Sequence, residues 1–277
     1  MVKLPAVPHP PSTDLPKVSD ELFQIPFNIA CIGKRGQGKS SFACRLLKSY
    51  GNSITDIFVI SPTVQSQLFL FQTYLGLPSE NLFEVTNSAG AKAAMQEIIC
   101  KVQGMYDMYK EYKAYKHAYR KFIDSKELTA LEERLLMNNE CREPPAHAPR
   151  RPSPCIVFDD MQSLDRFMTS SYFVSFVLRH RHIAGSISIL SLLQTLKGCS
   201  RSVRQNLSGI VCFSTHDETA LDDISRECSA HVPRDHFKKL FRQATEQPHS
   251  ALCINLTCKD KNKRFSRDLE QFYPLEG

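Results

Sequence analysis

Residues 31–42 read CIGKRGQGKSSF, and the interpretation of the whole chain starts from this stretch. It contains the pattern G-x-x-x-x-G-K-S, filled by Gly33, Gly38, Lys39 and Ser40. Such glycines let backbone N–H groups surround a phosphate, while the lysine reaches the β and γ oxygens and the serine hydroxyl ligates Mg²⁺. The stretch therefore predicts a loop that binds ATP and Mg²⁺. We expect the nucleotide to contact Gly33, Lys34, Arg35, Gly36, Gln37, Gly38, Lys39, Ser40 and Ser41.

Composition limits the class of protein. The chain has 277 residues, of which 42% are hydrophobic and 23% charged, as in an ordinary globular protein of one larger domain or of one domain with an appendage. No apolar run approaches the roughly 18 residues of a membrane-spanning helix, and the N-terminal residues lack the apolar core of a signal peptide. Ten cysteines occur without a paired framework. These features predict an intracellular, reducing compartment, and a protein that is not secreted.

The formal net charge of +6 is mildly basic. It is compatible with a nucleic-acid partner, but a solvated surface with a slight Lys/Arg excess explains it equally well.

Strands and helices alternate along most of the chain. Residues 1–24 carry five prolines and are predicted to form an extended arm. The domain proper then spans 25–277. Predicted strands cover 27–33, 54–62, 81–85, 154–161, 186–195, 208–214 and 251–257, and predicted helices cover 39–50, 91–103 and 170–180. This order predicts an α/β fold with a central, mainly parallel sheet and helices on both faces.

Residues 104–140 interrupt this alternation and are predicted to be a helical insert of two helices. One side carries aromatic residues and methionines, which we expect to pack: Met105, Met108, Tyr109, Tyr112, Tyr115, Tyr119 and Phe122. The other side is basic, and either a solvated face or a DNA-binding track is consistent with it: Lys110, Lys113, His117, Arg120 and Lys121.

Two acids end a second apolar strand, CIVFDD. Asp159 is placed to hold Mg²⁺ through its water shell opposite Ser40, and Asp160 to orient or deprotonate an attacking water. The alternative reading is that both are surface acids at the start of a helix. An acid pair here favours a hydrolase over a small-molecule kinase, because a kinase seldom needs a positioned water.

A third predicted strand also ends in polar residues, and these complete the predicted site. SISILSLLQT ends at Gln194 and Thr195. A polar residue at the end of the strand after the acid strand is typical of phosphate-loop ATPases that have an extra strand between the loop strand and the acid strand. In that arrangement Gln194 would lie beside the γ-phosphate and sense its presence.

Four segments together resemble the FtsK–HerA superfamily: IGKRGQGKSS, IVFDD, RHRHIAGSISILSLLQT and SVRQNLSGIVCF. The match is most similar to the viral genome-packaging ATPases of poxviruses, other large DNA viruses and Polinton-like elements. It covers about residues 25–215. The most specific part is the block that contains Arg181-His182, Ile187-Ser188, Gln194-Thr195 and Val203-Arg204-x-Asn206.

The chain also departs from that family. Arg35-Gly36-Gln37 stands where those proteins usually have Ser/Thr-Gly-Ser. This keeps the glycine but puts a charge and a bulky amide near the expected nucleotide. The RHRH segment offers two Arg-His registers, so the matching arginine stays open.

The arginines of this block suggest an oligomeric enzyme. In ring ATPases an arginine from the neighbouring subunit neutralises charge on the γ-phosphate, with effects of about 10³ to 10⁵ in rate. Arg181 and Arg204 are the candidates for this role, and contact with the sheet edge or with DNA is the alternative for each.

A zinc site is a further candidate that the spacing disfavours. Cys228, His231, His236, Cys253 and Cys258 are available as ligands. The usual C-x₂-C spacing is missing, and the last two cysteines are five residues apart on a predicted strand, so that they would face opposite ways.

The sequence thus predicts an ATPase of the packaging type. The resemblance implies a homomeric ring that drives double-stranded DNA into a viral capsid, with a capsid or vertex protein as a further partner. Two alternatives are a cellular or plasmid FtsK–HerA-type translocase and a non-hydrolysing nucleotide-gated scaffold. The scaffold would need neither Asp160 nor Gln194.

Overall fold

The computed structural model describes residues 15–145, 149–164, 166–228 and 232–274. Nine strands form one sheet: β1 (Asn28–Ile32), β2 (Ile57–Ser61), β3 (Leu82–Glu84), β4 (Cys155–Asp159), β5 (Ser188–Leu193), β6 (Gly209–Phe213), β7 (Ala251–Asn255), β8 (Phe265–Arg267) and β9 (Gln271–Phe272). The α-helices of these residues are α1 (Lys39–Ser49), α2 (Ser88–Ile123), α3 (Ala130–Asn138), α4 (Ser171–Arg179), α5 (Arg201–Arg204), α6 (Glu218–Glu227) and α7 (Arg234–Ala244).

The strand order is β3-β2-β4-β5-β1-β6-β7-β8-β9. The pairs from β3 to β6 are parallel, so the predicted α/β fold with a mainly parallel sheet is confirmed. The predicted extra strand is also confirmed, because β5 lies between β1, which leads into the glycine loop, and β4, which ends in the acids. This arrangement is that of a phosphate-loop NTPase fold.

The far side of the sheet differs from the prediction of simple β/α alternation. Strands β7, β8 and β9 pair antiparallel to their neighbours. The sequence analysis foresaw β7 but neither β8 nor β9, nor the helices α6 and α7 that precede β7. Strands of two and three residues carry too little periodicity to be predicted from sequence alone.

Both faces of the sheet are covered, which explains why the central strands have continuous apolar sequences. All six residues of β5 are buried. One face packs against α2, α4, α6 and α7 around Phe158, Phe173 and Phe237, each fully buried. The other face packs mainly against α1 and the segment before β1. Burying each such phenylalanine contributes about 1.5–3 kcal/mol.

The end of the predicted N-terminal arm belongs to the apolar core on the face of the sheet that packs against α1. Phe23 is fully buried, its backbone carbonyl accepts a hydrogen bond from the Tyr50 hydroxyl at 2.8 Å, and its ring lies directly against Gly209. Most of the predicted arm, residues 1–14, lies outside the described residues.

The predicted insert is not separate from the preceding helix. Residues 104–123 continue α2, which runs for 36 residues, and α3 packs back on its distal half through Tyr115, Ala118 and Leu136. The stripe predicted to pack does so only in part, since Met108 and Phe122 are exposed. Despite the length of α2, the helices in the described ranges lack the apolar length needed to cross a bilayer.

Candidate nucleotide-binding site

The glycine loop joins the end of β1 to the start of α1. Gly36 and Gly38 have φ values of 83° and 98°, in the left-handed region that glycine adopts without steric cost. Gly38 is the N-cap of α1, and no side chain caps this helix. The first N–H groups of α1 therefore face the loop without a side-chain acceptor, which is the arrangement that binds a phosphate at a helix N-terminus.

Gln37 fixes the shape of this loop. Its Oε1 accepts a hydrogen bond from the Lys34 backbone N–H at 2.6 Å, and its Nε2 donates to the Ser214 carbonyl at 2.5 Å. The bulky amide is therefore turned away from the cavity and ties the loop to the segment after β6. A Cβ at Gly33 would lie 2.6 Å from Gln37 Oε1 and 2.9 Å from Phe213 Cβ, which explains the glycine there.

Lys39 is held under the loop. Its Nζ donates hydrogen bonds to the carbonyls of Gly33 at 2.7 Å and Lys34 at 3.0 Å. Burial lowers the pKa of Lys39, and the carboxylates of Asp159 and Asp160 act in the opposite direction. The ammonium group is thus kept in place by backbone oxygens and faces the two acids at the carboxyl end of β4.

A cavity of about 730 Å³ opens in front of the loop. Its volume lies within the range of about 300–1,000 Å³ that is usual for small-molecule sites. It brings together these predicted site residues: Arg35, Gly36, Gly38, Lys39, Ser40, Ser41, Asp159, Asp160 and Gln194. The remaining predicted loop residues form hydrogen bonds within the loop instead: Gly33, Lys34 and Gln37.

Asp159 is the buried acid of the site. Its side chain is 3% exposed, and its Oδ2 accepts a hydrogen bond of 2.6 Å from Gln67 Nε2. Burial raises the pKa of Asp159 to about 6, while the Gln67 hydrogen bond opposes this rise. Placing a carboxylate here therefore costs folding free energy, as is common where a site is built for binding rather than for stability.

Asp160 and Gln194 contact one another directly. Asp160 has φ 52°, and this left-handed turn directs its side chain toward the end of β5. Gln194 Nε2 donates a hydrogen bond to Asp160 Oδ1 at 3.1 Å. Gln162 braces the pair, since its Oε1 accepts from the Gln194 backbone N–H at 2.5 Å and its Nε2 donates to the Thr195 carbonyl at 3.0 Å.

The sequence analysis missed the residues that follow β2. Because β2 is the parallel neighbour of β4, the carboxyl ends of these two strands lie side by side. The cavity is therefore also lined by Thr63, Ser66 and Gln67. Gln67 Oε1 is buried and finds no hydrogen-bond partner among the described residues. Polar residues after a strand adjacent to the acid strand are the signal that could have identified them.

Arg181 and Arg204 do not reach the cavity of their own chain. Arg204 Nε pairs with Glu227 Oε1 at 2.8 Å, and its Nη1 donates to the Cys199 carbonyl at 2.8 Å. Arg181 is exposed in the turn between α4 and β5. That turn enters β5 at its amino end, whereas the cavity lies at the carboxyl ends of the strands.

The zinc alternative has no cluster to support it. Within the described ranges, His, Cys, Asp and Glu side chains form no metal-binding group of three or more, and His231 lies outside these ranges. Cys258 follows the end of β7, so the argument from strand alternation does not apply to it.

Comparisons with known proteins give distant structural likenesses. The genome-packaging NTPase B204 of Sulfolobus turreted icosahedral virus 2, in complex with sulfate, matches with a TM-score of 0.48 and 10% identity over 91% of this chain and 99% of that one. The pCW3 conjugation coupling protein TcpA, in a monomer form with ATPγS, gives 0.45 and 12%, over 91% of this chain and 61% of that one. EssC (ATPases 2 and 3) of Geobacillus thermodenitrificans gives 0.40 and 12% over 68% of this chain.

The sequence motifs, independently of these likenesses, resemble those of viral genome-packaging ATPases of the FtsK–HerA superfamily. The chain spans about a third (32%) of the length of the EssC protein. No family model and no curated protein matches the chain. At this distance the likenesses carry no argument, and conclusions about fold and activity depend on the strand arrangement and the site themselves.

We predict that Asp159→Asn stabilises the protein while it removes a site residue. The pKa of Asp159 is raised from 3.8 to about 6 in the folded chain, so the folded state binds this proton more tightly than the unfolded state. The free energy of unfolding of the wild type should therefore fall as pH rises from about 4 to about 6. Without nucleotide at pH 8, the variant should be more stable by on the order of 2–3 kcal/mol.

Urea unfolding at pH 4, 6 and 8 measures this difference. Asp160→Asn is the matched control, because that side chain is only half-buried and its replacement should change the unfolding midpoint little. The same fall in stability between pH 4 and 6 in wild type and in Asp159→Asn would contradict the assignment of a buried, destabilising charge.

Proposed function

We propose that this protein is an ATPase that translocates double-stranded DNA, and that its biological task is to package a viral genome into a capsid. The observation that carries the proposal is the convergence of three strand ends on one cavity. The Lys39 loop follows β1, the two acids end β4, and Gln194 follows β5 in contact with Asp160. Binding of a phosphate chain needs only the first of these, whereas hydrolysis needs all three.

The donors present fit a magnesium ion. The Ser40 hydroxyl and the Asp159 carboxylate both line the cavity, and hard oxygen ligands of this kind are those that Mg²⁺ prefers. When bound, Mg²⁺ supplies charge neutralisation across the β- and γ-phosphates. Gln67 Nε2 donates to Asp159 Oδ2 at 2.6 Å, and this hydrogen bond orients the carboxylate that would hold the metal or its water shell.

The remaining residues divide the work of hydrolysis. The loop N–H groups and Lys39 bind the β- and γ-phosphates, and Asp160 orients the attacking water and accepts its proton. Gln194 donates a hydrogen bond to Asp160 and lies at the same cavity, so it can exchange this contact for one with the γ-phosphate. The presence of the γ-phosphate would thereby change the position of the residue that handles the water.

The DNA part of the proposal is supported by the sequence block from Arg181-His182 to Arg204-x-Asn206, which resembles packaging ATPases. The two arginines lie away from the cavity of their own chain, as expected for groups that act on a neighbour. This leads to a homomeric ring in which each interface completes one site. The expected location is the site of virus assembly within a host cell, with a capsid or vertex protein as partner.

The same chemistry would serve a cellular or plasmid translocase. Only the sequence block from Arg181-His182 to Arg204-x-Asn206 favours viral packaging over that alternative. A nucleotide-gated scaffold is disfavoured by a particular contact. Such a protein has no use for an amide that holds a water-positioning acid, as Gln194 holds Asp160.

We predict that three substitutions separate binding from hydrolysis. Lys39→Ala should abolish nucleotide binding, because the phosphates lose their principal cation. Asp160→Asn should bind ATP normally and reduce kcat by about 10² to 10⁴, because the water loses its base. Asp159→Asn should instead raise the Mg²⁺ concentration needed for half-maximal activity.

Titration with a fluorescent ATP analogue measures nucleotide binding. Phosphate release at varied Mg²⁺ measures kcat and the Mg²⁺ concentration needed for half-maximal activity. Wild-type affinity in Lys39→Ala would disprove the assignment of the loop. Matching defects of the two acid variants in both assays would show that the roles of the acids are not separate.

We predict that Arg181 or Arg204 acts on the neighbouring subunit. The Ala variant of the acting arginine should bind ATP but lose about 10³ to 10⁵ in rate. Mixing it with Asp160→Asn protein should restore part of the activity, because some interfaces then combine an intact acid with an intact arginine. A residue that acts within its own chain cannot be rescued in this way.

Arg204 needs a control because it also pairs with Glu227 at 2.8 Å. Glu227→Gln breaks this ion pair while keeping the arginine, and it should retain activity if the guanidinium acts in the next subunit. Absence of rescue for both arginines at every mixing ratio, with assembly verified by light scattering, would reject catalysis across the interface.

A further inference from the structure

The cavity extends beyond the part that a phosphate chain needs. Its outer end is lined by the second turn of α1 and by two segments that flank the antiparallel strands β7 and β8. Arg45 lies six residues after Lys39, about 9 Å farther along the helix axis. Neither the loop motif nor the acid pair accounts for this outer end.

A tight turn presents a ring to the cavity at this end. The Gln247 carbonyl accepts hydrogen bonds from the Ser250 backbone N–H at 3.2 Å and from its hydroxyl at 2.7 Å. Pro248 and His249 occupy the two central positions, and His249 has φ 65°. Proline first and a positive φ second is the pattern of a type II turn. The imidazole is therefore held on a short, rigid support.

The same ring lies against the glycine loop. A Cβ at Gly38 would be 3.4 Å from His249 Nδ1 and 3.7 Å from its Cγ. The side chain of His249 is nevertheless exposed to the cavity and the solvent. An exposed aromatic ring that adjoins a phosphate-binding loop is within reach of the base of a nucleotide whose phosphates occupy that loop.

A fixed carboxylate and a guanidinium close the outer end. Asp268 Oδ1 accepts a hydrogen bond from the Ala251 backbone N–H at 3.1 Å and lies 3.7 Å from Arg45 Nη2. Arg45 and Asp268 also line a second cavity next to this one, so the pair forms the wall between the two cavities. A carboxylate accepts hydrogen bonds only, which suits it to the O–H groups of a ribose.

We propose that this outer end binds the nucleoside of the nucleotide: the His249 ring stacks on the base, and Asp268, held by Arg45 and Ala251, accepts hydrogen bonds from the ribose hydroxyls. The proposal rests on the proposed function, since it assumes that the phosphates of the same nucleotide occupy the loop. It makes the antiparallel extension of the sheet a determinant of specificity. The chain should therefore prefer ATP to dATP and to inorganic triphosphate.

The test compares the affinities of ATP, dATP and inorganic triphosphate, each with Mg²⁺, by competition against a fluorescent nucleotide. His249→Asn removes the ring but tolerates the left-handed backbone of the turn, and His249→Phe keeps a ring. His249→Asn should weaken ATP binding about 5- to 150-fold and leave triphosphate binding unchanged, and His249→Phe should restore most of the ATP affinity. Asp268→Asn should reduce the preference for ATP over dATP.

Two controls make failure interpretable. His117→Ala removes an exposed histidine of α2 and should bind all three ligands as the wild type does. Lys39→Ala should lose all three. Equal affinities of wild type, His249→Asn and Asp268→Asn for ATP, with triphosphate still bound, would overturn the nucleoside assignment alone. Failure of wild-type protein to bind either ATP or triphosphate would overturn the proposed function instead.

Discussion

The position of β5 between β1 and β4 is the constraint on which the site depends. Because these three strands are parallel and hydrogen-bonded in register, their carboxyl ends meet at one edge of the sheet. Cys31 and Asp159 each pair with Leu192 of β5, which places Gly33, Asp160 and Gln194 close together just beyond the strands. Both faces of β5 are packed, so a slip of one residue would move every side chain to the opposite core and lose its packing contacts there.

The two ionisable groups buried at this edge lower the free energy of unfolding. Burial raises the pKa of Asp159 and lowers the pKa of Lys39, so it favours the neutral form of each group. Within the described ranges neither group forms a close ion pair; instead, the Gln67 amide donates to Asp159, and two backbone carbonyls accept from Lys39. A ligand that brings phosphate and a divalent cation together would satisfy both groups. The folding cost is thus of the kind expected at a binding site.

The features that sequence predicted best are those encoded in short segments. The Gly33–Ser40 loop, the acid pair and Gln194 each follow an apolar strand, so local pattern placed them at the correct strand ends. The prediction divided the long helix α2 because the sequence pattern set residues 104–140 apart as a separate insert in the strand–helix alternation. In the structure residues 104–123 continue the same helix of 36 residues, and the single Gly104 within it costs only about 1 kcal/mol.

Features that depend on distant parts of the chain could not be predicted in this way. Arg45 and Asp268 are separated by more than 200 residues and meet only because β7 and β8 extend the sheet beyond β6, each antiparallel to the strand before it. Gln67 contacts Asp159 because β2 pairs with β4. The order and direction of the strands outside the β4-β5-β1 core are decided by packing of the whole domain, and no short pattern in this sequence indicated them.

The central claim is that this cavity hydrolyses ATP in a reaction coupled to double-stranded DNA. Steady-state phosphate release, measured with and without linear duplex DNA, tests it most directly, with Asp160→Asn protein as the blank. The account predicts Mg²⁺-dependent release well above the blank, and a further increase when duplex DNA is added. Release no greater than that of the blank, with DNA and without it, would contradict the claim.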